Sequence, residues 1–426
     1  MNQALEVLKN RGFFAQCTNE TELSRLMDTE PVIFYVGCDP TGSSLHIGHM
    51  VPFFAYRHLR EAGHKGLALI GGGTARIGDP SGKTEMRKML TYDMLDANAD
   101  SIKAQLDRFI GFDDNTARAV NNKDWLANLN YIDFLREIGS HFSVNRMLSF
   151  EAYKTRLETG LSFIEFNYQL LQSYDFLELY RRYGCRLQIG GDDQWGNIVA
   201  GVELVRRTEG AEVFGLTFPL VTTADGKKMG KTEKGALFLD PGITPPYDFF
   251  QYWRNVQDAD IRRFLLMFSF LPVEEIDSLT AAGKNPNEAK ERLAWEVTAL
   301  IHGKAEADKA LAGALAAFGG HAFGGGADGV PGGDKSAMPQ AKLSRAAFEA
   351  GYNIVDLFCD AGLAPSKSEA RRLVQQGGAF TAGNDGSLIA ITDIAATITA
   401  DQLNPEGELI LRAGKKRYCL VRMRNE

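Results

Sequence analysis

Two histidines stand three residues apart in "CDPTGSSLHIGHM", Cys38 to Met50, directly after an apolar run. The "DPTGSS" turn formers place the Ser43 or Ser44 hydroxyl to cap a helix starting near Leu45, with His46 and His49 sharing its first-turn face. Backbone N–H groups and the positive dipole end at a helix start favour phosphate, and Gly48 has no side chain to keep a flat ring away. The pattern describes an ATP site, with phosphates at the histidines and adenine over the glycine. A metal-binding helix spaces its histidines i, i+4 around a glutamate, so the pair is a poor metal site even with Cys38 nearby, and no tightly held, protein-ligated metal is expected. Taken alone, two surface histidines on a helix would look the same.

Four other segments could do chemistry. "GDPSGKT", Gly78 to Thr84, is one residue short of a phosphate-binding P-loop; its Lys83 and the nearby Arg87 are either phosphate clamps or solvated charges. In "LSFIEFNYQLLQSYDFLELY" the apolar residues Phe163, Phe166, Leu170, Tyr174 and Leu177 mark one helix face and Tyr168, Gln172 and Asp175 the other. That polar stripe is either a solvent face or a pocket for a polar small molecule such as a phenol, whose hydroxyl a fixed carboxylate would accept. "QIGGDDQWGN" ends a strand in two acids, suited to ribose hydroxyls or simply to a turn. "TTADGKKMGKTE" carries Lys227, Lys228 and Lys231 on a glycine-bearing loop, a mobile counter-charge for pyrophosphate or an ordinary soluble surface.

From about Pro31 to Asp240, apolar runs such as "VIFYVGC", "GLALIGGG" and "CRLQIGG" alternate with amphipathic stretches. This predicts an α/β chain with a doubly wound, Rossmann-like parallel sheet, and ligands in such sheets lie beyond the strand carboxyl ends, where three of these segments fall. The organisation read from the chain is a catalytic domain over 1–245, a helical domain over 246–318, a glycine-rich linker over 319–345 and a C-terminal module over 346–426. Eight of the fifteen residues Gly319 to Gly333 are glycine, too poor in side chains to pack.

With 44% apolar and 24% charged residues the chain is neither disordered nor fibrous, and a net charge of −7 argues against a surface coated for nucleic acid while leaving room for a local basic face. Five scattered cysteines without a CxxC pair suit a reducing compartment. "MNQALEVLKNRGFF" lacks the pattern of a signal peptide, and no apolar run is long enough to span a bilayer; the expectation is a cytoplasmic protein without membrane contact.

HIGH followed by "KMGKT", Lys228 to Thr232, resembles the paired signatures of class I aminoacyl-tRNA synthetases, with Gly230 and Thr232 in the form found in the bacterial tyrosyl-tRNA synthetase family. "IGDPSGKTEMR", "HFSVNRM", "SFIEFNYQLLQSYDF", "LQIGGDDQWGN" and "GLTFPLVTTADG" are similar to that family as well. The resemblance implies a tyrosine site of Tyr35, Thr74, Asp79, Asn122, Tyr168, Gln172, Asp175 and Gln194, with Tyr35 and Asp175 on the phenol and Asp79, Tyr168 and Gln172 on the ammonium. It implies an adenosine site of Asp39, Gly48, His49, Gly191 and Asp193, with Lys231 also at the nucleotide. Thr41, His46, Lys83, Arg87, Lys228 and Lys231 would stabilise pyrophosphate as it forms. Val36 stands where relatives often have a ribose-touching cysteine. A sister enzyme for tryptophan would lack the Tyr168, Gln172 and Asp175 stripe, and a body kept only for RNA binding would not need every catalytic group.

From about Tyr352 the chain resembles a small α+β S4-like RNA-binding domain. Pro365 to Glu426 holds nine Lys or Arg against seven Asp or Glu, in contrast to the acidic remainder. Lys367, Arg371, Arg372, Lys415, Lys416 and Arg417 are the expected tRNA contacts, the alternative being a solvated charged face. The implied partners are L-tyrosine, ATP as substrate with Mg2+, tRNA(Tyr) and a second copy of the chain in a homodimer.

Overall fold

The computed structural model describes residues 2–81, 90–224, 226, 229, 231–232, 235–318, 339–382, 388–414 and 417–424. Lys83, Arg87, Lys227, Lys228, Lys415, Lys416 and most of the glycine-rich stretch lie outside the described residues. The chain divides into two compact units, one of Met1–Thr244 with Arg262–Asp277, the other of Pro245–Ile261 with Ser278–Glu426.

The first unit is built on strands β1 (Ile33–Cys38), β2 (Lys65–Ile70), β3 (Ala117–Asn121), β4 (Leu187–Gly191) and β5 (Phe214–Phe218). They form one parallel sheet in the order β3-β2-β1-β4-β5, the doubly wound arrangement expected from the apolar runs. β1 pairs with β2 along all of Ile33 to Cys38, whereas its pairing with β4 covers only Phe34–Leu187 and Tyr35–Gln188. The chain order reverses at β1 and β4, so a crevice opens from Val36 onward at the position where ligands enter such sheets.

Helices Ile47–Glu61, Tyr92–Ile110, Phe163–Tyr183 and Trp195–Glu209 connect the strands. The Phe163–Tyr183 helix starts with a reciprocal cap between Ser162 and Glu165 and stops at Gly184 in the left-handed region. Arg156 locks that start: its guanidinium, buried with Glu165, donates to both carboxylate oxygens at 3.1 and 3.0 Å. Arg262–Asp277, placed with the helical region by periodicity, belongs to this unit, where the buried Arg11 donates to the carbonyls of Leu266, Ser269 and Leu271.

The second unit contains helices Pro246–Arg254, Pro286–His302 and Lys304–Phe318. Its C-terminal module carries a five-stranded sheet in the order Leu388–Ile391, Ala379–Ala382, Glu408–Ala413, Arg417–Arg424, Gln340–Ser344. Helices Ile354–Asp360 and Lys367–Gln375 pack on it through Leu357, Phe358, Ala370 and Val374, which share a core with Leu411 and Val421. Among the described residues no helix is long and apolar enough to cross a membrane.

Candidate active site

A cleft of about 750 Å³ occupies the crevice beyond β1 and β4. One wall is the polar stripe of the Phe163–Tyr183 helix, where Tyr168 and Asp175 are buried; on the apolar face Leu170 and Leu177 are buried as well, and only its first residue, Phe163, is largely exposed. The solvent-face alternative is therefore wrong for this helix. The helix is covered on both sides, and the polar side lines a cavity.

Asp175 sits on the cleft floor with both carboxylate oxygens held. Asn122 Nδ2 donates to one at 2.9 Å and Trp125 Nε1 to the other at 2.7 Å. Burial pushes the carboxyl up to about 8, against those two hydrogen bonds. The Tyr35 hydroxyl faces the same region, where burial and then the Asp175 charge raise its pKa, and it has no hydrogen-bond partner. An orphaned buried hydroxyl beside a carboxyl group fixed in place is where a ligand's hydroxyl completes the bonding.

A second network rims the floor. Thr74 Oγ1 donates to one oxygen of Asp39 at 2.7 Å and accepts from Asn122 at 2.9 Å, and Tyr168 donates to the other Asp39 oxygen at 3.0 Å. Gly71 permits this approach, since a Cβ there would lie 2.0 Å from Asp39 Oδ1. Opposite, Gln194 Nε2 donates to Asp79 Oδ2 at 2.8 Å and the Ser81 N–H to Oδ1 at 2.9 Å. Gln172 completes the group at the same wall. All the expected tyrosine contacts thus line one cleft.

The opening motif lines the same cleft in a different local form from the one expected. The helix begins at Ile47 with His46 as its N-cap, and Ser44 is not the cap. Ser44 is buried, its single hydroxyl proton shared between the Leu45 carbonyl at 2.8 Å and Gln105 Oε1 at 3.2 Å, and Gln105, on the Tyr92–Ile110 helix, also accepts the Leu45 N–H at 3.0 Å. The two histidine rings stack with centroids 3.6 Å apart. At Gly48 a Cβ would come 3.0 Å from the His46 ring and 3.6 Å from the Met229 carbonyl, leaving the helix start bare. Thr41, Asp39, Gly191 and Asp193 lie on the same cleft wall set.

The paired acids of "GGDD" divide. Asp192 accepts from Gln16 at 2.7 Å and Thr217 at 2.8 Å and is tied into the fold, whereas Asp193 lines the cleft. After the lysine loop the chain returns to the histidine motif: the Ile47 N–H donates to the Leu237 carbonyl and the Leu239 N–H to the Leu45 carbonyl. Of the loop lysines only Lys231 is described, in a short strand whose backbone pairs with Ala236.

Sequence reading missed Trp125, Gln188, Asn197 and Gln105. Trp125 and Gln105 lie in stretches with no motif; Asn197 stands inside "DDQWGN" and Gln188 inside "LQIGG", where strand and turn patterns account for the local residue types. In the C-terminal module Lys367, Arg371, Arg372 and Arg417 are exposed, and two are engaged by neighbours: Lys367 with Asp356 at 2.7 Å and Arg372 with Glu369 at 3.0 Å.

Comparison with known proteins agrees along the chain. Residues 27–319 match the family model described as tRNA synthetases class I (W and Y), and residues 334–421 match the tyrosine–tRNA ligase SYY-like C-terminal domain. A tyrosine–tRNA ligase of Treponema denticola is 63% identical over 99% of both chains, and one of Caldanaerobacter subterraneus is 50% identical over 97% of this chain and 98% of its own. Among solved structures, a C-terminally truncated mitochondrial tyrosyl-tRNA synthetase of Coccidioides posadasii is 32% identical with a TM-score of 0.64, covering 72% of this chain and 90% of its own.

Proposed function

The chain belongs to the class I tRNA synthetases of the tryptophan and tyrosine group, and from that premise we propose that it is a tyrosine–tRNA ligase. It joins L-tyrosine to ATP as tyrosyl-AMP, releasing pyrophosphate, and then passes the tyrosyl group to the 3′ end of tRNA(Tyr). The observation that carries tyrosine over tryptophan is the floor of the cleft, where Asp175 is held by Asn122 and Trp125 beside the orphaned Tyr35 hydroxyl. The phenol hydroxyl fits between them. A buried site built to hold a hydroxyl rejects the analogue lacking it, an effect for which tyrosyl-tRNA synthetases are themselves the standard illustration.

Tyrosine's carboxylate is already ionised at neutral pH, so its oxygen attacks the α-phosphorus in line without a general base, and the bond to the bridging oxygen of pyrophosphate breaks. The barrier is then lowered by positioning and by donors on the departing phosphates. His46 and Thr41 supply such donors at the cleft mouth, with Lys83, Arg87, Lys228 and Lys231 as the mobile cations. Asp39, Gly48, His49, Gly191 and Asp193 hold the adenosine. Asp79, Tyr168 and Gln172, with Gln194, take the ammonium, and ATP enters as its Mg2+ complex.

Two copies act together in this reading. Large exposed apolar side chains concentrate in residues 131–164, where Tyr131, Ile132, Val144, Leu157 and Phe163 are each more than half exposed, as in a face that a second copy covers. Ile132→Asp should therefore shift the sedimentation coefficient towards that of a monomer. The exposed basic residues Lys367, Arg371, Arg372 and Arg417, with Lys415 and Lys416, would contact tRNA phosphates, and the work is done in the cytoplasm. The deciding measurement is exchange of labelled pyrophosphate into ATP with each of the twenty amino acids. Tyrosine alone should support it, and exchange driven by another amino acid or by none overturns the assignment.

A further inference from the structure

Asn197 lies just behind the cleft wall, buried, on the helix that follows β4. Its Nδ2 amide is a shared donor, lying 3.0 Å from Gln172 Oε1, 3.2 Å from Gln194 Oε1 and 3.4 Å from Ser81 Oγ. It does not itself line the cavity, whereas Gln172, Gln194 and Asp79 do.

The direction of every bond in this chain follows from one group. A carboxylate can only accept, so Asp79 requires the NH2 of Gln194 to face it. The carbonyl of Gln194 then faces Asn197, which must answer with its NH2. That NH2 in turn requires Gln172 to offer its carbonyl. Tyr168 joins from the other side: its proton is committed to Asp39, so only its lone pairs are left for a ligand. Each carbonyl oxygen has two lone pairs and Asn197 takes one, so the corner formed by Asp79, Gln172, Gln194 and Tyr168 keeps oxygen lone pairs for a ligand, although two of its members are amides that could also donate.

We propose that Asn197 is a positioning residue that sets the polarity of the amino-group pocket, fixing both glutamine amides through one lone pair of each carbonyl and leaving the second lone pair of Gln172 Oε1 for the substrate ammonium, and thereby selecting a cationic amine. The inference rests on the tyrosine-activating reading and deepens it. Asn197 touches no substrate and takes no part in the phosphoryl chemistry.

The test separates polarity from charge. In Asn197→Asp the new carboxylate accepts, so Gln172 turns its NH2 towards position 197 and its carbonyl oxygen leaves the place it shared with the ammonium. Added negative charge alone would instead strengthen binding of a cation. Full-length wild type and Asn197→Asp are titrated with L-tyrosine and with 3-(4-hydroxyphenyl)propanoate, the same phenol acid without its amino group. The expected result is L-tyrosine binding at least tenfold weaker in the variant, the propanoate within twofold of wild type, and kcat at saturating tyrosine nearly unchanged. Tighter or equal tyrosine binding overturns the proposal, as does an equal loss for both ligands. If the aspartate variant fails to fold, Asn197→Ala decides: Gln172 is then free to turn, and tyrosine alone should weaken, by several-fold, with an unchanged or parallel response again overturning the idea. Wild type that binds neither ligand overturns the ligase assignment itself, a result distinct from any difference between variants.

Discussion

The floor of the cleft and the basic face of the C-terminal module both recognise charged or polar partners in the reading given above, yet they are built on opposite plans. On the floor, Asp175, Asn122, Trp125, Thr74 and Asp39 are bonded to one another in one fixed pattern, most of it out of water. On the basic face Lys367 and Arg372 hold acids across the solvent, with side-chain exposures of 62% and 65%. Exposed ion pairs of that kind contribute about 0–1 kcal/mol and are readily exchanged for a phosphate. A buried network admits one ligand shape; exchangeable surface pairs admit a backbone in many registers. Discrimination between amino acids needs the first, and holding a long polyanion needs only the second.

Replacing Asp175 should break the contrast most severely. Asp175→Ala strands the Asn122 and Trp125 donors and removes the phenol acceptor, so kcat/KM for tyrosine in pyrophosphate exchange should fall about 1000-fold, on the scale of a lost charged hydrogen bond plus buried orphans. The same carboxyl sets a pH dependence in the free protein. With its pKa raised to about 8, against about 4 when unfolded, the native state keeps a proton that the unfolded chain loses. Stability of the free protein therefore falls as pH rises from about 4 to about 8, and this slope should disappear from urea melts of Asp175→Asn.

His46→Ala tests the cleft mouth. The rate of adenylate formation should drop about 100-fold or more, the usual consequence of deleting one transition-state donor, with tyrosine affinity within about twofold by equilibrium titration. Tyr35→Phe is milder, removing one hydroxyl from a pocket that keeps its carboxylate. A loss of about fivefold to tenfold in kcat/KM for tyrosine is expected. Smallest of all, Lys367→Ala should raise KM for tRNA only a few-fold and lower the salt slope of tRNA binding by about one, leaving pyrophosphate exchange untouched. An effect of Lys367→Ala on pyrophosphate exchange would break the contrast outright.

Much of the sheet was legible because β1, β2 and β4 read as continuous apolar runs, the pattern that burial on both faces imposes. The histidine pair was legible because its two members sit within one helical turn. What escaped depends on contacts between distant parts of the chain. Trp125 reaches Asp175 across fifty residues and Gln105 reaches Leu45 across sixty, and no local pattern announces either bond. Ser44 misled for the same reason: a hydroxyl before a helix ordinarily caps it, but here Gln105 and Asp240 claim it. The polar stripe on the Phe163–Tyr183 helix was ambiguous in sequence since a cavity and bulk water select the same residue types.

The short pairing between β1 and β4 bears on how this site tolerates change. Beyond Tyr35 and Gln188 the facing edges of the two strands are no longer joined to each other, so peptide groups there are available to whatever lies in the gap. Peptide groups are the part of a binding site that substitution, proline apart, cannot remove. In the proposed reading a side-chain contact to the ribose is free to drift at a position such as Val36, while a hold on the nucleotide made through the main chain would be inherited with the fold.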